Sequence, residues 1–264
     1  MPLSETETEE WAYEWGIFRN DDESSLRGWM APFPLEWLKG KSVLECGCGG
    51  GSHTAVFAQF ADDVTAVDLN TAGLAASKLG DTKNVTFQQV DLTEMKLGKT
   101  FDVVICIGVI HHTDDPDAVF RNIVDHVRPG GKLVVWTYSA EGNSLVMYGV
   151  EPVRRRFLAK RSRKFVHRLA FLITAALYPF VYTLYLIPFL SFLPFFEYFK
   201  MFRKLNFHHN FLNVFDKLNA PQTKFTTRSK CDEWLSNPDI VPESRVVRRH
   251  LGVSYTIVAE KKGG

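Results

Sequence analysis

The stretch that decides the fold is Val43-Leu44-Glu45-Cys46-Gly47-Cys48-Gly49-Gly50-Gly51-Ser52, in which a short apolar run meets a glycine-rich turn. An apolar run of this length predicts a buried strand, and the glycines predict a tight turn with positive φ that leads into a helix. A turn of this kind leaves backbone N–H groups to point at a ligand. We therefore predict a strand–turn–helix unit of an α/β fold, with a ligand held at the turn.

The spacing of the glycines argues against two common nucleotide-binding motifs. Gly47, Gly49 and Gly51 spell G-x-G-x-G, and Ser52 stands where the dinucleotide pattern G-x-G-x-x-G has its third glycine. No Lys-Ser or Lys-Thr pair follows the turn, so a phosphate-binding P-loop is not indicated either.

Acidic residues stand at the ends of the next two predicted strands. Asp68 follows the apolar run 64–67, and Asp91 follows the run 85–90. In doubly wound folds, ligands bind at the carboxyl edge of the sheet, where an acid after the second strand commonly holds a ribose diol. The glycine turn, Asp68 and Asp91 are therefore predicted to meet in one site.

Taken together, these motifs resemble class I S-adenosylmethionine (SAM)-dependent methyltransferases of the small-molecule type. The resemblance covers roughly residues 41–140. It also includes the segments Phe101–His112 and Arg128–Leu133.

The resemblance implies SAM as the cofactor and assigns residues to it. Glu45 and the turn of Gly47, Gly49 and Gly51 would hold the methionine portion. Asp68 with Leu69 would take the ribose hydroxyls, and Asp91 with Leu92 the adenine. Ile107 and Gly108 would form the floor beside the sulfonium.

The order of apolar segments predicts the architecture. Strands are expected near 41–47, 63–68, 85–91, 101–108 and 131–138, and helices begin near 52, 71 and 115. Asp114-Asp115-Pro116 is a good helix start, and this helix should stop before Pro129. The alternating stretches 245–250 and 254–259 predict a closing antiparallel pair. The fold class is therefore α/β, a Rossmann-like doubly wound, mostly parallel seven-stranded sheet with an antiparallel last strand, as the resemblance also implies.

An insertion of about 80 residues separates the fifth strand from the closing pair. It begins with a basic stretch at 154–168 and continues as 28 residues without a formal charge, from Leu169 to Phe196. Twelve of the chain's 21 phenylalanines fall between 165 and 215. In similar enzymes a segment at this place covers the substrate, so we expect a hydrophobic helical cap.

Three arrangements of the uncharged run stay open. It can form a buried cap, a cap that also touches a membrane, or a transmembrane span of about 20 residues. A single span would leave residues 223–264 on the wrong side of the membrane from the sheet they complete, and Pro179, Pro188 and Pro194 interrupt the run. The basic stretch before it would favour an anionic lipid surface.

The chain is predicted to have four parts. Residues 1–40 would form aromatic lid helices, in which Tyr13 and Trp15 close the pocket. Residues 41–140 are the SAM-binding core, 141–222 the substrate cap, and 223–264 the return to the core.

The predicted function is methyl transfer from SAM to a hydrophobic small-molecule or lipid-like acceptor, with O-methylation expected before N- or C-methylation. His111 and His112 are candidate bases, because a histidine near neutral pKa can remove a hydroxyl proton. Candidate acceptor contacts are Tyr138, Asn143, His208 and His209.

Two alternatives remain. One is an RNA or tRNA methyltransferase that uses the basic stretch 154–168, and the other is a non-catalytic SAM-binding, membrane-associated protein. A net charge of +1 argues against a nucleic-acid partner. No metal site is expected, because adjacent histidines rarely aim at one ion. Four cysteines without a disulfide pattern and a polar N-terminal stretch favour a cytoplasmic protein, with peripheral membrane contact left open.

Overall fold

A single seven-stranded sheet organises the protein. The computed structural model describes residues 23–158, 161–220 and 222–264. The strands lie in the order β3-β2-β1-β4-β5-β7-β6. They are β1 (Ser42–Cys46), β2 (Asp63–Asp68), β3 (Val85–Gln89), β4 (Phe101–Ile107), β5 (Val127–Tyr138), β6 (Val246–His250) and β7 (Ser254–Glu260). Strands β1 to β5 are parallel, and β7 runs antiparallel to β5 and β6. The predicted Rossmann-like sheet is confirmed.

Helices flank the sheet and form the insertion. The α-helices of the described residues are α1 (Glu23–Met30), α2 (Ser52–Phe60), α3 (Ala72–Leu79), α4 (Pro116–His126), α5 (Glu151–Arg156), α6 (Arg163–Val181), α7 (Phe196–Phe202), α8 (Phe207–Asn219) and α9 (Arg228–Leu235). Short 3-10 turns cover Leu35–Leu38, Ile110–His112, Leu184–Leu186, Pro188–Leu190 and Pro242–Ser244, and a π-helical turn covers Val146–Val150.

Both faces of the sheet are buried, as expected for parallel strands between helices. Along β1, Val43 packs with Leu26 and Met30 of α1, whereas the next residue, Leu44, packs on the other face with Phe120 and Ile123 of α4. The described part of the predicted lid region 1–40 therefore belongs to the core of the sheet. Tyr13 and Trp15 lie outside the described residues.

Local signals set the bounds of α4 and β5. The Asp115 carboxylate caps α4 by accepting from the N–H groups of Asp117 and Ala118, at 3.0 and 2.9 Å, and Pro116 begins the helix. The helix ends at His126, before Pro129, as predicted. Pairing of β5 with β4 is irregular until Lys132 and then continues in register to Trp136, so the regular part of the strand begins near the predicted position.

The described residues between 141 and 222 form a helical region with two apolar clusters of its own. Helices α6 and α8 pack through Val166, Ala170, Phe211 and Phe215. The 28-residue uncharged run does not form one continuous helix, because α6 ends at Val181 and short 3-10 turns follow. Helix α6 is long and apolar enough to span a membrane by length and composition, and 22% of its apolar window is buried.

A strap at residues 222–226 ties this region back to the sheet. The Thr226 N–H donates to the Tyr138 carbonyl at 2.9 Å, and the Lys224 N–H donates to the His111 carbonyl at 2.8 Å. The hydroxyls of Thr137 and Thr226 lie 3.0 Å apart. These contacts hold the helical insertion over the carboxyl ends of β4 and β5.

Candidate functional site

The glycine turn is built so that only glycine fits its first position. Gly47 has φ +84°, and a Cβ there would lie 2.3 Å from Val109 Cγ2. The turn differs from expectation in its donors: the N–H groups of Gly47 and Cys48 donate to the Val67 carbonyl, at 2.7 and 3.0 Å. The Gly51 N–H donates to the Cys48 carbonyl at 2.9 Å. These donors fix the shape of the turn against β2 and are not directed at a ligand.

Asp68 links the turn to the following loop. Its Oδ2 accepts from the Gly49 N–H at 3.0 Å, and its Oδ1 accepts from the N–H groups of Asn70 and Thr71, at 3.0 and 2.9 Å. Three backbone donors thus hold the carboxylate at the end of β2. Oδ1 already accepts two hydrogen bonds, whereas Oδ2 accepts one and keeps a second lone pair for a ligand hydroxyl.

Asp91 occupies the matching position after β3. Its Oδ1 accepts from the N–H and the hydroxyl of Thr93, at 2.8 and 2.7 Å. Both of these bonds are to Oδ1, and none of the described residues donates a hydrogen bond to Oδ2 of Asp91. The outward-facing carboxylate is placed to accept from an amino group of a ligand.

These strand ends enclose a cavity of about 180 Å³. It is lined by Gly47, Gly49, Asp68, Leu69, Asn70, Thr71, Asp91, Leu92, Thr93, Gly108, Val109, His112, Thr113, Asp114 and Gln222. Seven of the ten predicted cofactor residues are among them. The other three, Glu45, Gly51 and Ile107, lie behind the lining.

Glu45 is buried beneath the turn with 3% of its surface exposed. The Thr54 hydroxyl donates to its Oε2 at 2.5 Å. Burial raises the pKa of Glu45 to about 8, the Thr54 bond opposes the rise, and the nearby Asp68 adds to it. The side chain is therefore mostly protonated at neutral pH and joins β1 to α2.

The two adjacent histidines have different environments. His111 is 1% exposed and packs on His112, Trp136 and Tyr138, with ring centroids 4.2, 5.9 and 4.5 Å away. Burial holds the pKa of His111 well below its usual value, and the neighbouring His112 and Lys217 add to that effect. His111 is thus a neutral packing residue that does not line the cavity.

His112 lines the cavity, and its tautomer is fixed. Its Nδ1 lies 2.7 Å from the Gln222 carbonyl, which can only accept, so Nδ1 carries the proton and Nε2 is the basic nitrogen. Burial lowers the pKa of His112, so the ring is neutral at pH 7. Gln222 in turn donates to the His112 carbonyl at 2.9 Å, which clamps the turn.

A second, smaller cavity of about 20 Å³ adjoins the first at His112. It is lined by His112, Tyr138, Asn143, Val146, Glu151, Arg154, Asp216, Lys217, Ala220, Thr223 and Phe225. Of the predicted acceptor contacts, Tyr138 and Asn143 line it. The Asn143 amide donates to the Ser139 and Val253 carbonyls, both at 2.7 Å, so this side chain holds the cavity wall together.

Charged residues of the insertion that the sequence did not single out also reach this cavity. Arg154 and Glu151 come from α5, and Asp216 and Lys217 come from α8. Charges at 154 and 217 inside an aromatic-rich insertion were a signal, but their convergence depends on how the helices pack. Arg154 is 3% exposed, so the first residue of the basic stretch is not on the surface.

The remaining predicted contacts lie elsewhere. His208 is exposed on α8, with its ring 6.1 Å from that of Phe211. The His209 N–H donates to Asn206 at the start of α8. Neither histidine lines the two cavities. Within residues 23–158, 161–220 and 222–264, no cluster of histidine, cysteine and acidic side chains is arranged to hold a metal ion.

Comparison with known sequences finds relatives of the core. Residues 44–135 match the family model described as a methyltransferase domain. A ubiquinone biosynthesis O-methyltransferase of Pseudomonas fluorescens (strain Pf0-1) is 36% identical over 113 residues, which are 39% of this chain and 49% of that protein. The chain spans about half the length of the curated relatives it matches.

Solved structures share the fold over nearly the whole chain. The N-methyltransferase NodS of Bradyrhizobium japonicum, in complex with S-adenosylhomocysteine (SAH), has a TM-score of 0.54 at 13% identity and covers 97% of this chain and 98% of its own. Magnesium protoporphyrin IX methyltransferase from Synechocystis, with bound SAH, has a TM-score of 0.56 at 14% identity and covers 98% and 95%.

Proposed function

Because residues 44–135 form a methyltransferase domain with the class I fold, we propose that this protein transfers a methyl group from SAM to a hydroxyl of a hydrophobic acceptor. One observation carries the proposal: the glycine turn, Asp68 and Asp91 converge on a single cavity whose far edge is His112. The relatives are named ubiquinone biosynthesis O-methyltransferases, which favours oxygen as the acceptor atom.

SAM would bind along the carboxyl ends of β1 to β4. Asp68 would accept from a ribose hydroxyl through Oδ2, since its carboxylate is held by backbone donors and lines the cavity. Asp91 would accept from the adenine amino group, and Gly108 would lie beside the sulfonium. Glu45 would act indirectly, by fixing β1 and α2 on either side of the turn.

Methyl transfer is a direct displacement at carbon, so alignment and exclusion of water supply much of the rate. The acceptor oxygen would attack the methyl carbon, the S–CH₃ bond would break, and SAH would leave. A hydroxyl acceptor must also lose its proton, which His112 Nε2 would take. His112 suits this task because it separates the two cavities and holds its other proton on Nδ1.

A matched pair of histidine variants tests the role of His112. We expect His112→Gln to lower kcat for methylation of 4-hexylcatechol by labelled SAM about a hundredfold, within the usual range for a general base, with SAH affinity unchanged. His167→Gln, an exposed histidine of α6, serves as the control. Equal rates for His112→Gln and the wild type would rule out the base. Turnover of catechol but not of 4-hexylcatechol would rule out the apolar acceptor.

The wild-type pH profile gives a second test of the base. Because the pKa of His112 is lowered, kcat should be level above about pH 6.5 and should fall in acid, where the ring becomes protonated.

The insertion would serve as the acceptor cap and also touch a membrane. Phe189 and Phe192 between α6 and α7 are 76% and 73% exposed, and Leu172 on α6 is 64% exposed. Basic residues Arg161 and Lys164 stand at the start of α6. Exposed aromatics beside Lys and Arg are typical of a surface that inserts shallowly into anionic lipid. We place the protein in the cytoplasm with this peripheral contact.

A further inference from the structure

The wall of the smaller cavity includes a buried hydrogen-bond donor that has no partner among the described residues. Arg154 Nη2 donates to Glu151 at 2.5 Å and its Nη1 to Thr223 at 3.4 Å, whereas its buried Nε meets no acceptor among the described residues. A guanidinium carries N–H donors on every nitrogen, and a buried donor without a partner is costly. Arg154 therefore has donor capacity that the protein itself does not satisfy.

Lys217 adds a second, partly buried cation to the same wall. Its Nζ donates to the Asn213 carbonyl at 3.3 Å and lies 5.7 and 5.3 Å from the ring centroids of Tyr138 and Tyr198. An ammonium packed between two aromatic rings is held in place and stays charged. Its bond to the Asn213 carbonyl is long and its tyrosine partners are neutral, so Nζ can donate to an anionic oxygen that enters the cavity.

The charged residues that line the cavity are formally balanced, but Arg154 shares its carboxylate partner. Glu151 Oε1 accepts from both Arg154 and the solvent-exposed Arg155, at 2.5 and 2.8 Å, so the Glu151 carboxylate neutralises Arg154 only in part. Asp216 and Lys217 cancel each other, and His112 is neutral. The cavity volume of about 20 Å³ suits one oxygen-sized group, since a water needs roughly 10–15 Å³.

We propose that Arg154 and Lys217 form a specificity site for an anionic oxygen of the acceptor, a carboxylate or a phenolate, next to the oxygen that is methylated. The inference rests on the proposed function and narrows its substrate class. The acceptor is amphiphilic: its anionic head enters the small cavity beside His112, and its apolar remainder lies towards the cap.

The test measures acceptor binding, so that it does not depend on turnover. SAH-loaded protein is titrated calorimetrically with aromatic acids such as 3,4-dihydroxybenzoate, each compared with its methyl ester. It is also titrated with nitrophenols, which ionise near neutral pH, each compared with its methyl ether. We expect the acid or the phenol to bind at least about tenfold more tightly than its neutral partner, as for a hydrogen bond to a charged group. The two series distinguish a carboxylate from a phenolate.

Variants show which residues cause the preference for the anion. Lys217→Gln should abolish this preference. Lys200→Gln, which replaces an exposed cap lysine paired with Glu197, should keep it. The double variant Glu151→Gln/Arg154→Met removes the other cation without leaving a lone buried charge, and it should weaken the preference.

The outcomes separate the two proposals. Normal SAH binding with equal or tighter binding of the neutral partners overturns this inference alone. A preference that survives Lys217→Gln does the same. Failure of the folded wild type to bind SAH overturns the proposed function as well.

Discussion

Replacement of the buried Glu45 by glutamine should stabilise the ligand-free protein at alkaline pH. The pKa of Glu45 is raised from 4.5 to about 8 by burial, so the folded state binds a proton that the unfolded chain has released. Stability from this group is therefore fully present below about pH 4.5 and is lost as pH rises through 8. A shift from 4.5 to about 8 corresponds to a loss of about 5 kcal/mol, at about 1.4 kcal/mol per pKa unit.

The Glu45→Gln variant removes that loss, because an amide does not ionise and its oxygen can still accept from Thr54. The free energy of unfolding is measured by urea titration at pH 5, 7 and 9. We expect the free energies of unfolding of wild type and variant to diverge with rising pH. The difference in favour of the variant should be several kcal/mol larger at pH 9 than at pH 5. Glu243→Gln, at an exposed site, is the control. Parallel pH profiles for wild type and Glu45→Gln would refute the buried, proton-binding state of Glu45.

Three further predictions follow from the contacts above. Gly47→Ala should lower the free energy of unfolding by several kcal/mol and abolish SAH binding, because its Cβ would meet Val109. Gly98→Ala, which also has positive φ but open space around it, should lower it by only about 1–2 kcal/mol and keep SAH binding. Urea unfolding and calorimetry measure the two effects, and equal losses of stability would contradict the close contact. Because burial lowers the pKa of His53 to about 4, the neutral ring stabilises the fold above about pH 6.5, and this contribution should be lost as pH falls towards 4. The His53→Gln variant should therefore lose less unfolding free energy than the wild type over that interval. An equal loss of unfolding free energy in variant and wild type would contradict the lowered pKa. Wild-type protein should float with vesicles containing phosphatidylglycerol, and the double variant Phe189→Ser/Phe192→Ser should not, whereas flotation that is independent of these side chains would exclude the proposed membrane contact.

The core of the fold was predictable because its signals are local. The glycine turn, the acids Asp68 and Asp91 and the start of α4 each follow from residues that are neighbours in sequence, and parallel strands bring their carboxyl ends to one edge. The likeness to class I methyltransferases is confirmed by the family match over 44–135 and by the shared fold.

The acceptor side was less predictable because it is assembled across the insertion. Arg154 and Lys217 are 63 positions apart in sequence, and only the packing of α5 and α8 against the end of β5 brings them to one cavity. The same holds for Gln222, whose carbonyl fixes the tautomer of His112 from a strap that returns to the sheet. His208 and His209 had a suitable chemistry, yet their place on α8 directs them away from both cavities.

The donors of the glycine turn show a second limit of the sequence. The pattern indicated N–H groups aimed at a ligand, but Gly47, Cys48 and Gly49 donate to the end of β2 instead. Whether a turn N–H meets a ligand or the neighbouring strand depends on the register of β1 and β2, which composition does not reveal.

The most direct test of the central claim is calorimetric titration of the purified protein with SAH, beside an Asp68→Ala variant and with NAD as the competing ligand. We predict micromolar binding of SAH by the wild type, loss of that binding in Asp68→Ala with the protein still folded, and no heat from NAD. Absence of SAH binding by well-folded wild-type protein, or equal binding by the variant, would contradict a SAM site at the end of β2.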